Sequence, residues 1–172
     1  MRSRAADGRC LGPAAGGRPA RVVAEGGTPV IQLDVLSVSK YNGTEDYVLV
    51  LREHAGQRLL PIVIGEPEAH AIARAANGLY QARPSTHDLL ASVISRLGAH
   101  LECILIHDLR DETFFCQLEL KGERGLLEID CRTSDGVAVA LRTTSPIFAT
   151  EEVVGQAAVL PATGQEDEAP DA

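Results

Sequence analysis

The chain has 172 residues, a length that suits one domain with a single core and is too short for two domains of ordinary size. Apolar residues form 45% of the composition, Trp is absent, and the formal net charge is −8. This acidic balance argues against a protein that coats nucleic acid through a basic surface, but it is compatible with carboxylates that hold cations against phosphate. No apolar run approaches the roughly 20 residues that cross a bilayer, so we expect a cytoplasmic protein without membrane association.

The two ends of the chain differ in composition from the middle. Residues 1–29 are rich in Gly, Ala, Arg and Pro and show no sustained periodicity, whereas residues 161–172 are acidic. We therefore predict a disordered N-terminal extension over 1–29, one folded domain over 30–160 and a disordered acidic tail over 161–172.

The first part of the domain predicts three strands and a helix. Apolar and polar residues alternate over 30–41, and "YVLVLREHAGQRLLPIVIG" (47–65) has the pattern of a hairpin that turns near Ala55-Gly56. "EPEAHAIARAANG" (66–78) then predicts a helix, with Pro suited to its first turn and Gly to its end.

The next helix is the clearest in the sequence. In "RPSTHDLLASVISRLG" the apolar residues follow helical spacing, and Gly98 ends the run. Ser85 is expected to cap this helix, with Asp88 returning the hydrogen bond in a capping box.

A second series of strands follows and ends in another helix. We predict strands in "HLECILIHDL", "TFFCQLELK" and "GLLEIDC", a helix in "TSDGVAVALRTTSP" that Pro146 stops, and a short strand with a helical turn in "IFATEEVVGQA". The four cysteines (Cys10, Cys103, Cys116 and Cys131) lack the spacing of a zinc site, and three of them lie in these apolar runs, so we expect buried, reduced cysteines.

An internal repeat appears when the chain is shifted by 67 residues. "RLLPIVIGEPEAHAIARAA" then lies over "GLLEIDCRTSDGVAVALRT" without a gap. We predict an α+β fold of two duplicated β-β-β-α halves, with a mainly antiparallel sheet and an extra helix between the halves. A doubly wound α/β fold would need helices between successive strands, and most of these are missing.

Two polar motifs have both a structural and a functional interpretation. In "STHDLL", Asp88 suits helix capping, while His87 would stand at a helix N-terminus that attracts anions. In "IHDLRDETFF", Asp108 and Asp111 could bond the amides of a turn or could join Arg110 in a catalytic site.

A third polar motif, "DCRTSDG", leads from a strand into a helix. Strand alternation puts Asp130 and Arg132 on one face, and either Thr133 or Ser134 could cap the helix, whose N-terminus Asp135 would favour. A carboxylate, a guanidinium and free helix amides so close together could bind phosphate, alone or through a metal.

Taken together, these stretches resemble one known family. "LLPIVIGEPEAHAIA", "RPSTHDLL", "LIHDLRDETFF", "IDCRTSDGVAVALRT" and "SPIFATEEV" are similar to the bifunctional nuclease domain family, formerly a domain of unknown function, over about residues 31–155. The resemblance implies an α+β domain with a duplicated strand-helix arrangement, and an association with the DNase and RNase activity of plant members. The high content of Ala, Arg and Gly suits a bacterial source.

The sequence departs from the family pattern at four places. An aromatic residue of the family is replaced by Val63, a leucine by Ser85, and the "R-P-S-D-A" helix start by "RTSDG" (132–136). The Asp-Gly of the turn in "IHDLRDETFF" has become Asp111-Glu112. The acids and arginines are kept, so we expect a polar site with an altered backbone around it.

Our leading hypothesis is a nuclease that hydrolyses phosphodiester bonds of DNA or RNA with the help of Mg²⁺ or Mn²⁺ and without an organic cofactor. The candidate catalytic residues are His87, Asp108, Asp111, Asp130 and Asp135; the candidate substrate-binding residues are Arg110, Arg132 and Ser134; the candidate metal ligands are Glu68, Asp130 and Asp135. The alternative is a non-enzymatic interaction or regulatory domain in which these groups form internal salt bridges that face no cleft. Under both hypotheses we expect a homodimer or a higher homo-oligomer.

Overall fold

The computed structural model describes residues 27–41, 43–79 and 81–161. The strands are β1 (Val30–Lys40), β2 (Tyr47–Glu53), β3 (Leu59–Ile64), β4 (His100–Arg110), β5 (Thr113–Gly122), β6 (Gly125–Arg132) and β7 (Ile147–Thr150). The helices are α1 (Glu66–Ala76), α2 (Thr86–Arg96), α3 (Thr133–Thr143) and α4 (Glu151–Ala157). Apart from 27–29 and 161, the predicted disordered ends lie outside the described residues, and their disorder stays a prediction.

The described strands form one seven-stranded sheet in the order β3-β2-β1-β7-β4-β5-β6. All neighbouring strands are antiparallel except β4 and β7, which are parallel. The predicted α+β class and the mainly antiparallel sheet are therefore confirmed. The order β-β-β-α occurs on each side of α2, and α1 and α3 begin and end 67 residues apart. A duplication of the two halves stays a prediction.

The core lies between the sheet and its helices, and α3 is the most deeply buried helix. Val137, Ala138, Val139 and Ala140 of α3 are all 0% exposed. This helix packs against α1, α2 and the strands β4, β5 and β6. Each fully buried Val contributes about 1.5–3 kcal/mol relative to an exposed one, so α3 is firmly held by hydrophobic burial. No helix in the described ranges is long and apolar enough to span a membrane.

In contrast to α3, the helix α2 buries little. Its apolar spacing correctly predicted a helix, but only Ile94 is buried, while Leu89, Val93 and Leu97 are exposed. The predicted capping box is present. In it, Asp88 Oδ2 accepts hydrogen bonds from the backbone N of Ser85 at 2.8 Å and from its hydroxyl at 2.6 Å. The N-terminal turn of α2 is therefore ordered by polar contacts more than by burial.

The turn between β4 and β5 is a two-residue hairpin turn. Asp111 and Glu112 both have positive φ, at 47° and 60°, and Arg110 pairs with Thr113 across the turn. Such turns favour Asn-Gly or Asp-Gly because a Cβ is strained in this conformation. Glu112 therefore occupies a position that favours glycine, as the family pattern led us to expect.

The start of α3 differs from the prediction in one respect. The helix begins at Thr133, so its N-cap position falls on Arg132, and neither Thr133 nor Ser134 caps it. Thr133 Oγ1 is instead buried without a hydrogen-bond partner among the described residues. The capping prediction was wrong because the helix starts one residue earlier than a Thr133 cap requires.

Close packing of α3 on the sheet depends on a glycine. A Cβ at Gly136 would lie 3.2 Å from Cys116 Sγ and 3.3 Å from Cys131 Sγ, two cysteines that pair across β5 and β6. Neither of them, nor Cys103, forms a disulfide in the described part of the chain, and their reduced state stays a prediction. Full burial is confirmed for Cys116 alone, whereas the other two are half-buried. Cys10 lies outside the described residues.

Candidate functional site

A cleft of about 310 Å³ lies where α1, α2 and α3 meet. Its walls come from three parts of the chain. These are Pro67, Glu68, Ala71 and Arg74 of α1; Leu79, Gln81, Ser85, Thr86, His87 and Asp88 in and before the first turn of α2; and Arg132, Asp135 and Arg142 at the end of β6 and in α3. The volume is at the lower end of the range for small-ligand pockets, about 300–1,000 Å³.

The guanidinium of Arg132 joins two helices at the mouth of the cleft. Its Nη1 lies 2.9 Å from Glu68 Oε1 in the first turn of α1. Its Nε donates to Asp135 Oδ2 at 2.8 Å and its Nη2 to Asp135 Oδ1 at 3.3 Å, in the first turn of α3. The hydrogen bonds to Asp135 raise the pKa of Arg132. Because this side chain is still 69% exposed, part of the guanidinium faces solvent.

A histidine and an aspartate meet beside this ion pair. His87 Nε2, on α2, lies 3.0 Å from Asp135 Oδ1, on α3, and the His87 side chain is only 14% exposed. Because an ionised carboxylate accepts hydrogen bonds, we assign the proton to Nε2. Burial raises the pKa of Asp135, but the hydrogen bonds from Arg132 and His87 outweigh it, so the pKa lies below its ordinary value. Asp135 is therefore ionised at neutral pH and orients the ring.

The cleft is also a point at which three helix N-termini converge. Glu68 is in the first turn of α1, His87 is the second residue of α2, and Asp135 is in the first turn of α3. Their side chains meet through Arg132 and Asp135. Each helix N-terminus carries a partial positive charge from unpaired amides, so the local field favours an anion even though the chain is acidic overall.

Comparison with known proteins identifies the family of the chain. The family model described as the bifunctional nuclease domain matches residues 49–161. The chain belongs to the bifunctional nuclease domain family. Two proteins of Mycobacterium tuberculosis, the uncharacterized protein MT1877 of strain CDC 1551 and the uncharacterized protein Rv1829 of strain H37Rv, are each 42% identical to it over 122 residues, which cover 71% of this chain and 73% of each relative.

In this bifunctional nuclease domain, the candidate residues of the β4–β5 hairpin do not join the cleft. Asp108 forms an ion pair with Arg110, and the Arg110 guanidinium lies 5.4 Å from the centre of the Phe115 ring. Asp108 and Arg132 are each paired with Phe115 across the sheet, so their backbones are two strands, or about 10 Å, apart. No hydrogen bond or ion pair within the described ranges links Asp108, Arg110 or Asp111 to His87 or Asp135.

The two other candidates of "DCRTSDG" are also separate from the cleft. Asp130 is exposed on β6 and pairs with Gln117, whereas Ser134 is buried at the start of α3. Neither lines the cleft. Of the residues predicted from sequence, the structure therefore brings together Glu68, His87, Arg132 and Asp135.

The predicted metal ligands do not fit a metal in this arrangement. Glu68 and Asp135 both form ion pairs with the guanidinium of Arg132, whereas no hydrogen bond or ion pair among the described residues links Asp130 to either of them. No group of three or more His, Cys, Asp or Glu residues in the described part of the chain has the geometry to hold a metal ion. A divalent cation at Glu68 and Asp135 would have to displace the positive charge that Arg132 already supplies.

Sequence reasoning did not find two basic residues of the cleft, Arg74 and Arg142. Arg74 lies in the last turn of α1, where a basic residue is common because it complements the helix dipole. Arg142 follows a run of buried residues on α3, and its side chain is only 10% exposed. The signal that could have identified Arg142 is a charged residue four positions after Ala138 on the buried face of a helix, since such a charge needs a partner.

Proposed function

We propose that this chain hydrolyses phosphodiester bonds of DNA or RNA in the cleft between the first turns of α1, α2 and α3. The observation that carries the proposal is the half-buried His87–Asp135 pair beside the exposed guanidinium of Arg132. Membership of the bifunctional nuclease domain family supports a nuclease-related function. The fields of the three helix N-termini add a preference for phosphate.

In the proposed reaction, His87 moves the proton. With Nε2 held by Asp135, Nδ1 is the ring atom that would accept a proton from the attacking water as the water oxygen bonds to phosphorus. The same histidine would then return a proton to the oxygen that leaves phosphorus. Asp135 stabilises the imidazolium that forms between the two transfers, as a carboxylate does for the histidine of other hydrolytic sites.

The arginines of the cleft would bind the scissile phosphate. Arg132 presents its solvent-facing guanidinium next to His87, and Arg74 lines the same cleft and makes no ion pair with any described residue. A planar guanidinium can contact two phosphate oxygens at once and offset the charge that grows in the transition state. Arg132 is thus the proposed substrate-binding residue, with Arg74 as a second contact.

No step of this reaction is assigned to a metal ion. A requirement for Mg²⁺ or Mn²⁺ stays a prediction, and cleavage assays with added Mg²⁺, with added Mn²⁺ and with EDTA test it. A cytoplasmic location likewise stays a prediction.

The experiment that tests the proposed function compares an aspartate of the cleft with an aspartate outside it. Single-stranded RNA and plasmid DNA are digested with the purified wild type, Asp135→Asn and Asp108→Asn. We expect Asp135→Asn to lower kcat about 10²–10⁴-fold, because the histidine loses its orienting carboxylate, and Asp108→Asn to change it less than about twofold, as for a surface substitution. Equal residual cleavage by all three proteins would point to a contaminating nuclease and contradict the proposal.

The alternative of a non-enzymatic interaction domain makes a different prediction for these residues. It expects the acids and arginines to form internal salt bridges that face no cleft. Glu68, Arg132 and Asp135 do form salt bridges, but all three line a cleft, and this observation favours the enzymatic proposal.

We also propose that the protein self-associates through an apolar stripe along α2. Leu89, Val93 and Leu97 are spaced by four residues along this helix and its C-cap and are exposed, and contiguous apolar patches on a protein surface often mark interaction sites. Sedimentation should show an oligomer for the wild type and a monomer for Val93→Glu. Ser95→Glu adds the same charge on the opposite side of the helix and should stay oligomeric. An unchanged oligomer in Val93→Glu would place the interface elsewhere.

A further inference from the structure

Arg142 is the charged residue that links the three helices of the cleft. It lies in the last turn of α3, about 10 Å along the helix axis from Asp135, and its side chain is 10% exposed. A guanidinium so nearly buried is retained only if its donors are satisfied. Its contacts therefore indicate what it holds in place.

The N–H groups of Arg142 have their acceptors on all three helices or at their N-caps. Nε donates to Asp88 Oδ1 of α2 at 2.5 Å, and Nη2 lies 3.5 Å from Ser85 Oγ at the N-cap of the same helix. Nη1 donates to the backbone oxygen of Ala138 in α3 at 2.7 Å and to that of Ala71 in α1 at 3.3 Å. One side chain thus fixes the start of α2 relative to both α1 and α3.

The start of α2 depends on this contact because burial holds the helix weakly. Ile94 is the one residue of α2 that is buried. Asp88, which binds Arg142, is the immediate neighbour of His87, and its second carboxylate oxygen is occupied by the backbone N and hydroxyl of Ser85. The hydrogen bond between His87 and Asp135 joins α2 to α3. Its length is therefore determined by how the first turn of α2 packs against α3.

We propose that Arg142 is a positioning residue, which holds the first turn of α2 through Asp88 so that His87 meets Asp135. Its effect on cleavage rests on the proposed function of the cleft, whereas its effect on the histidine does not. Arg142 acts through His87, so removing the guanidinium should reduce kcat only while the histidine is present.

The kinetic test is a double-mutant cycle with a conservative variant and a matched control. Arg142→Gln should lower kcat about 10–100-fold, the cost of a misplaced catalytic group, with little change in KM. Arg142→Lys keeps the charge beside Asp88 and should recover part of the loss. Arg96→Gln removes an exposed arginine from α2 and should leave both constants unchanged.

The cycle separates positioning from other roles. In a His87→Gln background, Arg142→Gln should lower kcat by less than about a further twofold, because the effects of residues that act as one unit are not additive. A full additional loss in that background would overturn the proposal. So would a rise in KM with kcat unchanged, which would make Arg142 a substrate contact.

A structural readout separates a failure of this inference from a failure of the proposed function. The imidazole ¹⁵N shifts of His87, assigned by their loss in His87→Gln, are recorded at one fixed pH for all variants. In the wild type they should report a hydrogen-bonded Nε2–H, and in Arg142→Gln they should move toward those of Asp135→Asn. If Arg142→Gln does not fold, Arg142→Lys and Asp88→Asn should show a smaller change of the His87 ¹⁵N shifts in the same direction.

The cleavage assay and the ¹⁵N shifts of His87 give independent results. Identical His87 shifts in the wild type and in every folded variant would overturn the positioning role, whether or not the protein cleaves nucleic acid. A wild type without cleavage, but with shifts that depend on Arg142, would contradict the proposed function and support the positioning role.

Discussion

The cleft and the tip of the β4–β5 hairpin are two polar regions of similar composition but different construction. In the cleft, Arg132 and Asp135 are near neighbours at the β6–α3 junction, and Glu68 of α1 and His87 of α2 join them from distant parts of the sequence. At the hairpin tip, the charged residues lie within a few positions of each other, and Asp108 and Arg110 pair mutually.

The difference shows why acids and arginines near each other in sequence are weak evidence for a site. Neighbours on one hairpin neutralise each other in solvent, where such pairs contribute little to stability. Groups from four separate elements are held by the packing of those elements, and at the cleft they surround an open volume. Two regions with the same residue types are therefore expected to respond differently to substitution, and three measurements test this expectation.

The largest difference is expected between two arginines. Arg132→Gln should lower kcat/KM for a single-stranded oligonucleotide about 10–100-fold and should reduce the salt dependence of binding by about one phosphate contact. Arg110→Gln, the matched variant at the hairpin, should leave both quantities near their wild-type values. Equal losses in the two variants would mean that the nucleic acid also contacts the hairpin tip, and the distinction between the two regions would fail.

An intermediate effect is expected for the anchor of α2. Asp88→Asn should lower the free energy of unfolding at neutral pH by about 1–3 kcal/mol, because the nearly buried Arg142 loses its charged partner. The hydrogen bond from the Ser85 hydroxyl, more than the contact with Arg142, lowers the pKa of Asp88 from 3.8 to about 2. Denaturant unfolding measured across acidic pH is the appropriate assay.

The sign of the pH dependence follows from this lowered pKa. A carboxyl whose pKa is lower in the folded state stabilises the fold above the pKa of the unfolded chain, and the contribution is lost as pH falls through the folded value. The difference in the free energy of unfolding between the wild type and Asp88→Asn should thus have its full value above about pH 4 and should decrease toward pH 2. A difference in the free energy of unfolding that stays constant over this pH range would show that Asp88 stabilises the fold through its shape and not through its charge.

The smallest effect is expected at the hairpin turn. Glu112→Gly should raise the free energy of unfolding by about 0.5–1 kcal/mol, because glycine adopts the positive φ of this position without strain. Asp111→Gly should gain less, since aspartate tolerates the left-handed region better than glutamate does. Thermal unfolding of both variants is the measurement, with a rise of about 1–4 °C expected for Glu112→Gly. Cleavage should be unchanged, and a change would connect the hairpin to the site.

The elements of the fold could be predicted because each is specified locally. Alternating apolar residues, a capping serine before α2 and glycines after α1 and α2 were sufficient to locate the strands and helices. Local patterns could not predict that the apolar stripe of α2 stays exposed, since burial depends on what packs against the helix. They could not predict the N-cap of α3 either, because Arg132, Thr133 and Ser134 lie next to each other at the strand-helix boundary.

The site could be predicted only in part for the same reason. His87, Arg132, Asp135 and Glu68 were identified as charged or polar residues of motifs at the junctions between strands and helices. Asp108, Asp111 and Asp130 satisfied the same local criteria, and only the three-dimensional arrangement separates them from the cleft. Arg142 was missed because its partners, Asp88 and Ala71, lie 54 and 71 residues away in the chain.

The short strand β7 has a consequence for the order in which the molecule can assemble. It is four residues long and stands between β1 and β4 at the middle of the sheet, so until residues 147–150 take their place the chain can form only two separate meanders. Each meander then exposes an unpaired edge, which is a surface prone to intermolecular pairing. Val30 pairs with Thr150, which lies at the other end of the domain in sequence. The step that inserts β7 therefore has a high contact order, and we expect it to limit the rate of folding.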